Sequence, residues 1–216
     1  NDKIYTVNID SFLFGNTNEG MNANMNKMAG FGLSYSGFLN KNIYRFYSQA
    51  IGEDEAGSLP SCLSWLAGLE LTVPGIKFPT TLTIEAVDTR IKKSTHGYCG
   101  ENTMYNNGSY DYINYDTVLG IPIDTEGTSL ELFGNSQIAQ KISIDYSTKL
   151  LTVNDKNWSG HRLSSNRETG LINSLGVSWN TNNLKFNVNI YNQDYTLNKT
   201  DIKNSTGIMF FSSLTF

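Results

Sequence analysis

Hydrophobic and polar residues alternate with a period of two along most of the chain, and helical periodicity is nearly absent. The stretch LKFNVNIYNQ at 184–193 shows the pattern, because its apolar positions are Leu184, Phe186, Val188 and Ile190. Segments 62–73 and 170–180 alternate in the same way. The opposite face of each segment carries mostly amides, hydroxyls, glycines or a charge. The pattern predicts an all-β, antiparallel fold.

Turn residues between these segments predict about twelve strands, at 3–9, 25–36, 42–51, 62–73, 80–90, 112–121, 127–134, 138–146, 149–154, 170–180, 184–193 and 205–216. Short turns alternate with long polar segments, and the short ones are GFLNK at 37–41, PGIKFP at 74–79, YSTK at 146–149 and NTNN at 180–183. The stretch VLGIPIDTEG, near 118–127, fits a loop folded inward as well as it fits a turn.

Alternation alone fits a soluble sandwich as well as a barrel with a lipid-facing outside and a wet inside. Short turns at one end and long loops at the other favour an outer-membrane β-barrel. The last strand ends on the aromatic Phe216 and resembles the C-terminal strand of bacterial outer-membrane barrels. We therefore predict one transmembrane barrel domain over 1–216, either complete or the C-terminal part of a larger barrel. Its long loops are expected outside the cell and both termini on the periplasmic side.

The charge and hydropathy of the chain limit the classes of partner that the protein can have. The formal net charge is −4, charged residues make up 17% of the chain, and Lys and Arg form no block of the kind that binds nucleic acid. No apolar run reaches the length of a transmembrane helix, which excludes a helical membrane protein. The first ten residues lack the basic start and apolar core of a signal peptide, so we expect a removed signal or a longer parent protein. Outer-membrane lipid is the expected surrounding, and nucleic acid is not expected.

Cys62 and Cys99 are the two cysteines of the chain, and they fit either a disulfide in an oxidising compartment or two unrelated thiols. Their place in two neighbouring outer loops favours the disulfide. No CxxC or Cys/His spacing suggests zinc, and no metal or cofactor is predicted.

The acidic run Glu53, Asp54 and Glu55 is expected in the loop between strands 42–51 and 62–73, at the outer mouth of the barrel. Four roles are open to it: a solvated or capped loop, a contact to polysaccharide, an ion site, or catalysis. Catalysis of glycoside hydrolysis needs two carboxylates that face each other across the sugar, which adjacent loop residues do not provide. An EF-hand spacing is absent.

Arg45, Glu70 and Glu85 fall on the polar faces of neighbouring predicted strands. Opposite charges inside a barrel can pair and hold its shape, and lining a ligand path is the alternative. We predict a charge network in the lumen.

Tyrosines cluster around YNNGSYDYINY, and Tyr98, Tyr105 and Tyr110 are candidate contacts to sugar, with a membrane girdle or packing as the ordinary alternative. His96 and His161 fall in long outer loops, and SGHRLSSN places His161 near Ser159 and Ser164 without any hydrolase motif. We therefore predict no catalytic residues and no enzyme.

Several stretches resemble the Wzi family of outer-membrane capsule assembly proteins. They are NTNEGMNANMNKMAGFGLSYS, YSQAIGEDEAGSLPSCLSWLAGLEL, LTIEAVDTR and YNNGSYDYINYDTVLGIPIDTEGTSLELFG, in the family's order from about residue 10 onward. The most specific piece is Tyr47-x-Gln49-x-Ile51-Gly-Glu-Asp-Glu-Ala-Gly57, followed by Leu66-Ala-Gly-Leu-Glu70.

The resemblance implies a lectin-like outer-membrane barrel that helps attach or assemble capsular polysaccharide at the cell surface. Family members carry a periplasmic helical bundle and several more strands before this region, and nothing in this sequence corresponds to that bundle. The resemblance thus covers the C-terminal part of the family's barrel. A porin-like diffusion channel is the alternative function.

Overall fold

The computed structural model of the protein describes residues 28–56, 59–75, 77–93, 99–106, 113–114, 117–181 and 183–214. Its strands are β1 (Ala29–Leu39), β2 (Asn42–Ala56), β3 (Leu59–Val73), β4 (Thr80–Asp88), β5 (Ile113–Asn114), β6 (Thr117–Val118), β7 (Thr128–Ala139), β8 (Ile142–Val153), β9 (Glu168–Asn180), β10 (Leu184–Gln193) and β11 (Ser205–Leu214). No helix within these residues could span a membrane.

Nine strands form one antiparallel sheet in the order β1-β2-β3-β4-β7-β8-β9-β10-β11, and β5 pairs with β6 in a sheet of two strands. Every neighbour in the large sheet is also the neighbour along the chain, apart from the step from β4 to β7. Within the described part of the chain, β1 and β11 do not pair, so the sheet is open. The predicted antiparallel all-β fold is confirmed, whereas closure into a barrel remains a prediction.

The two faces of the large sheet differ in chemistry. Facing residues along the register place large apolar side chains together on one face, and we call it the apolar face. Its members include Leu33, Leu69, Ile84, Leu132, Val188 and Phe210, which are all exposed, from 39% for Leu132 to 74% for Phe210. The other face carries hydroxyls, amides and charges, and we call it the polar face. Several of its hydroxyls are buried, as at Ser64, Thr83 and Ser178. The sheet therefore exposes hydrocarbon on one face and buries several polar groups on the other, the reverse of a water-soluble sheet.

Buried hydrophobic residues gather at one end of the polar face. Val87, Leu151 and Val153 from the strands pack with Ile123 and with Tyr195 and Leu197, which come from connecting segments. A second cluster joins Cys62, Ile91, Met104 and Tyr105. The connections at this end thus fold over the polar face and bury part of it.

The predicted turn at YSTK (146–149) is wrong, because these residues lie inside β8 and pair with both β7 and β9. Ser147 bonds Ser174 at 2.9 Å, and the Nζ of Lys149 lies 3.1 Å from Glu131 Oε2, so cross-strand partners hold the segment extended. The turn lies instead at Gln140 and Lys141, between β7 and β8. The predicted strands 138–146 and 149–154 are therefore replaced by a single strand that starts at Ile142, and 127–134 continues to Ala139.

The predicted strand at 112–121 is also wrong as a member of the large sheet. The two short strands β5 and β6 occupy its first part, and the chain then runs as a loop to β7. Pro122 offers no N–H to a sheet, and Asp124 and Glu126 have positive φ angles of 61° and 50°, which end an extended conformation. The predicted strand 3–9 lies outside the described residues. Within the described residues the large sheet has nine strands, and the predicted count of about twelve for the whole chain is not confirmed.

Candidate functional site at the loop end

The two ends of the large sheet have different connections. Residues 40–41, 74–79, 140–141 and 181–183 form short links at one end, which we call the turn end. Residues 89–127, 154–167 and 194–204 form long connections at the other, which we call the loop end. A β-hairpin of β2 and β3 also closes at the loop end. The long, irregular connections of the sheet thus lie at one end.

Residues 121–127 form a hub at the loop end, because every long connection there leads to it or to a segment bonded to it. Thr89 N–H donates to Gly127 O at 2.9 Å, and Gly127 N–H donates back to Thr89 Oγ1 at 2.9 Å. Asp155 N–H donates to Glu126 O at 2.8 Å. The backbone of the hub is therefore held by segments far apart in sequence.

A nearly buried ion pair fixes the hub to the segment 154–167. Arg162 Nε donates to Asp124 Oδ2 at 2.8 Å, and its two terminal nitrogens bond Asp124 Oδ1 and Asn106 Oδ1. The Asp124 side chain is 2% exposed and that of Arg162 16%. A fork-to-fork pair of this kind restrains both orientation and distance. Arg162 thereby joins three loop segments at one point.

His161 is fully buried beneath the same loops. Its Nδ1 accepts hydrogen bonds from the backbone N–H groups of Leu163 and Ser164, so Nε2 carries the hydrogen and donates to Thr125 O at 3.0 Å. Burial lowers the pKa of this imidazole below its usual value of 6.5, which keeps the ring neutral. Both ring nitrogens thus bond backbone groups and hold the hub in place.

Ion pairs surround the hub at the surface. Arg90 donates to Asp88 at 2.9 and 2.7 Å and lies 3.8 Å from Asp155, which also pairs with Arg167 at 3.0 Å. Lys156 and Glu101 form another pair. Hydrogen bonding to Asp88 is the largest of the causes that raise the pKa of the Arg90 guanidinium. The loop end therefore presents both donors and acceptors, the groups that recognise sugar hydroxyls and carboxylates.

A disulfide joins Cys62, near the start of β3, to Cys99, and the two cysteines are 37 positions apart in sequence. It ties the loop after β4 to the β2–β3 hairpin. The acidic run lies on that hairpin: Glu53, Asp54 and Glu55 belong to β2, and Asp54 and Glu55 pair with Ser61 and Pro60 of β3. The expectation of a loop at this position is wrong, because the hairpin continues the sheet past residue 51.

The tyrosine candidates separate. Tyr105 is 1% exposed and its hydroxyl accepts a hydrogen bond from Ile121 N–H at 3.1 Å, so it packs in the second buried cluster and the prediction of a sugar contact is wrong for it. Tyr98, Tyr110 and His96 lie outside the described residues. The packing alternative was the correct one for Tyr105, because the ring closes over Gly120, where an added Cβ would lie 2.5 Å from it.

The predicted lumen charges meet on the polar face. Arg45 pairs with Glu70 at 3.0 Å, while Glu85 instead accepts a hydrogen bond from Tyr47 at 2.7 Å. The Arg45 guanidinium lies 5.0 Å from the centre of the Tyr47 ring and completes the group. Sequence reasoning missed Tyr47, although its place two residues after Arg45 on the same face was a usable signal. It also missed Asp124 and Arg162, whose contact no local pattern announces.

Comparison with known proteins places this geometry in context. Residues 6–203 match the family described as capsule assembly protein Wzi. Among solved structures, the sheet is similar to one titled "Wzi, an outer membrane protein involved in group 1 capsule assembly in Escherichia coli, is a carbohydrate binding beta-barrel", with 20% sequence identity and a TM-score of 0.65. The match covers 87% of this chain and 41% of that one, so the chain spans less than half the length of its structural relative. No curated protein matches the chain in sequence.

Proposed function

The chain belongs to the Wzi family of capsule assembly proteins, and from this premise we propose that it forms part of an outer-membrane β-barrel that binds capsular polysaccharide at the cell surface. In this role it acts as a lectin-like attachment protein and catalyses no reaction. Its partners are capsular polysaccharide at the loop end and outer-membrane lipid around the strands, with no nucleic acid.

The observation that carries the proposal is the apolar face. Along β3 its members run from Leu63 to Val73, about ten residue steps, or about 33 Å at ~3.3 Å per residue. A tilt of about 40° to the membrane normal reduces this length to a height of about 25 Å, the height of the apolar band of outer-membrane barrels. A face of this height and composition has lipid as its natural neighbour.

The loop end supports sugar binding more than it supports transport. Ile123, Tyr195 and Leu197 pack against the polar face there, so described connections fill part of the space that an aqueous channel would need. The loop end also carries guanidinium, ammonium, carboxylate and amide groups in several ion pairs and hydrogen bonds. The structurally similar Wzi is described as carbohydrate binding, which supports a carbohydrate-binding role for this chain.

A hydrolytic function finds no support in the most obvious candidate. His161 is buried and both its nitrogens bond backbone groups, so it is not available as a general base for a neighbouring serine hydroxyl. Binding without catalysis is the simpler reading of the site.

The test is deletion of the protein in a capsulated cell, followed by complementation. We expect capsular polysaccharide to move from the cell surface to the medium while total polysaccharide is unchanged, and the intact gene to restore attachment. Capsular polysaccharide that stays on the cell surface after deletion would contradict the proposal.

A diffusion channel is separated from this function by conductance. Purified protein in planar bilayers is expected to give no large steady currents, because the loop end is packed. Steady currents of porin size would favour the diffusion channel over the lectin-like function.

A further inference from the structure

Glu126 and Asp124 are both fully buried carboxylates of the loop end, but only Asp124 has an arginine as its ion-pair partner among the described residues. One oxygen of Glu126, Oε1, accepts hydrogen bonds from the backbone N–H groups of Asn102, at 3.0 Å, and Ile91, at 3.3 Å. The other oxygen, Oε2, is buried and has no hydrogen-bond partner among the described residues. A carboxylate held on one side and unmatched on the other points to a ligand, since buried charges are normally paired or bound to metal.

The neighbouring carboxylates do not share this position. Asp88, Asp124, Asp155 and Glu101 each form an ion pair with an arginine or lysine. Glu126 forms no such pair within the part of the chain that the structure describes. The charge of Glu126 contributes to the raised pKa of the Arg90 guanidinium, yet the side-chain hydrogen bonds of that guanidinium go to Asp88.

Two residues that adjoin Glu126 each carry a further side-chain oxygen that is buried and has no hydrogen-bond partner in the described part of the chain. One oxygen is Oδ1 of Asn102, the residue whose backbone N–H touches the carboxylate, and the other is Oγ1 of Thr125, the residue before Glu126. Carboxylate, amide and hydroxyl oxygens are ligands for hard cations. No group of three or more His, Cys, Asp or Glu side chains gathers at a metal-binding distance among the described residues, which argues against a transition metal.

We propose that Glu126 and Asn102 bind a calcium ion that neutralises the buried carboxylate and links three segments of the loop end: 89–93, 99–106 and 121–127. A single carboxylate and a few neutral oxygens place the affinity at the weak end for Ca²⁺ sites, with a dissociation constant of about 0.1–1 mM. Such a site fills only where calcium is abundant, as it is outside cells. The site is separate from any contact to polysaccharide and does not depend on it.

The test uses the purified full-length protein in detergent, stripped with EDTA and loaded with Tb³⁺, whose luminescence is sensitised by nearby tyrosine and tryptophan. Added Ca²⁺ is expected to displace Tb³⁺ with a midpoint that corresponds to this affinity. Glu126→Gln should weaken binding at least tenfold, because it removes the charge but keeps the shape. Glu101→Gln, a surface carboxylate of the same region, is the matched control and should leave binding unchanged.

Asn102→Asp provides a second variant that does not depend on the folding of the first. It adds a carboxylate at a position whose φ of 64° an aspartate tolerates, and should tighten Ca²⁺ binding about tenfold. Equal displacement curves for the wild type and Glu126→Gln, no displacement by Ca²⁺ up to about 10 mM, or weaker binding by Asn102→Asp would each overturn the proposal. Capsule attachment is measured separately, so failure of either proposal leaves the other to its own test.

Discussion

A charge placed on the apolar face should destabilise the protein strongly, while the same charge on the polar face should not. Leu69 is 48% exposed on the apolar face and lies one residue from the middle of the Leu63–Val73 stretch. Leu69→Arg thus puts a guanidinium close to the centre of the proposed lipid band. An arginine at that depth lowers the unfolding free energy of outer-membrane barrels by about 2–4 kcal/mol, and we take about 3 kcal/mol for Leu69→Arg. That free energy corresponds to a factor of about 150 in the folding equilibrium constant.

The matched control is Gln49→Arg, on the exposed part of the polar face of β2. It adds the same guanidinium where water or polar groups surround it, so we expect less than about 1 kcal/mol. Both variants and the wild type would be refolded into lipid vesicles and unfolded in urea, with tryptophan fluorescence as the signal. Equal losses of unfolding free energy in the two variants, or a larger loss for Gln49→Arg, would refute the assignment of the apolar face to lipid.

Three further predictions concern the loop end. Replacing Cys62 and Cys99 by serine should lower the unfolding free energy by about 4 kcal/mol, the chain-entropy value for a closed loop with a 37-residue separation. The replacement should also abolish the change in gel mobility on reduction, and an unchanged urea midpoint would contradict the prediction. Arg162→Ala leaves the buried Asp124 without its cation and should lower the stability of the loops by about 3–5 kcal/mol, seen as faster proteolysis at the loop end. Adding Asp124→Asn to this variant should restore part of the lost stability, and no gain from the second change would argue against a charge effect. Because burial lowers the pKa of His161, the unfolded loops bind a proton more readily than the folded ones. The stability that the neutral His161 provides is therefore full above about pH 6.5 and falls as the pH drops toward the lower pKa of the folded state. Hydrogen exchange in the loops should become faster over that range, and His161→Gln should make it less dependent on pH.

Local alternation predicted many of the strands well, because a period of two is a property of neighbouring residues. The segment 184–193 was predicted with the bounds that β10 has, since LKFNVNIYNQ alternates without interruption and NTNN ends the preceding strand. YSTK failed for the same local reason: serine, threonine and lysine resemble a turn until their partners on β7 and β9 are known. The strand continues because Lys149 meets Glu131, a contact across strands that no window of sequence contains.

The loop end was beyond sequence reasoning because its contacts join residues far apart in the chain. Asp124 meets Arg162, and Thr89 meets Gly127, through connections of different lengths. Tyr105 follows the packing alternative, but sequence alone could not choose between packing and a sugar contact, because the burial of the ring depends on residues far apart in the chain. Pairings predicted from facing strands fared better: Arg45 and Glu70 do meet, since register on a shared face follows from alternation.

The apolar face also bears on how such a chain travels to its membrane. Its large hydrophobic side chains are spread over nine strands, with a polar residue after almost every apolar one. A translocation channel that sorts nascent chains by continuous hydrophobic stretches of about 20 residues finds none to release sideways. The hydrocarbon-compatible surface comes into being only when the strands pair. In the proposed outer-membrane role, the protein would therefore acquire its affinity for lipid only once its strands have paired, after the chain has crossed the inner membrane.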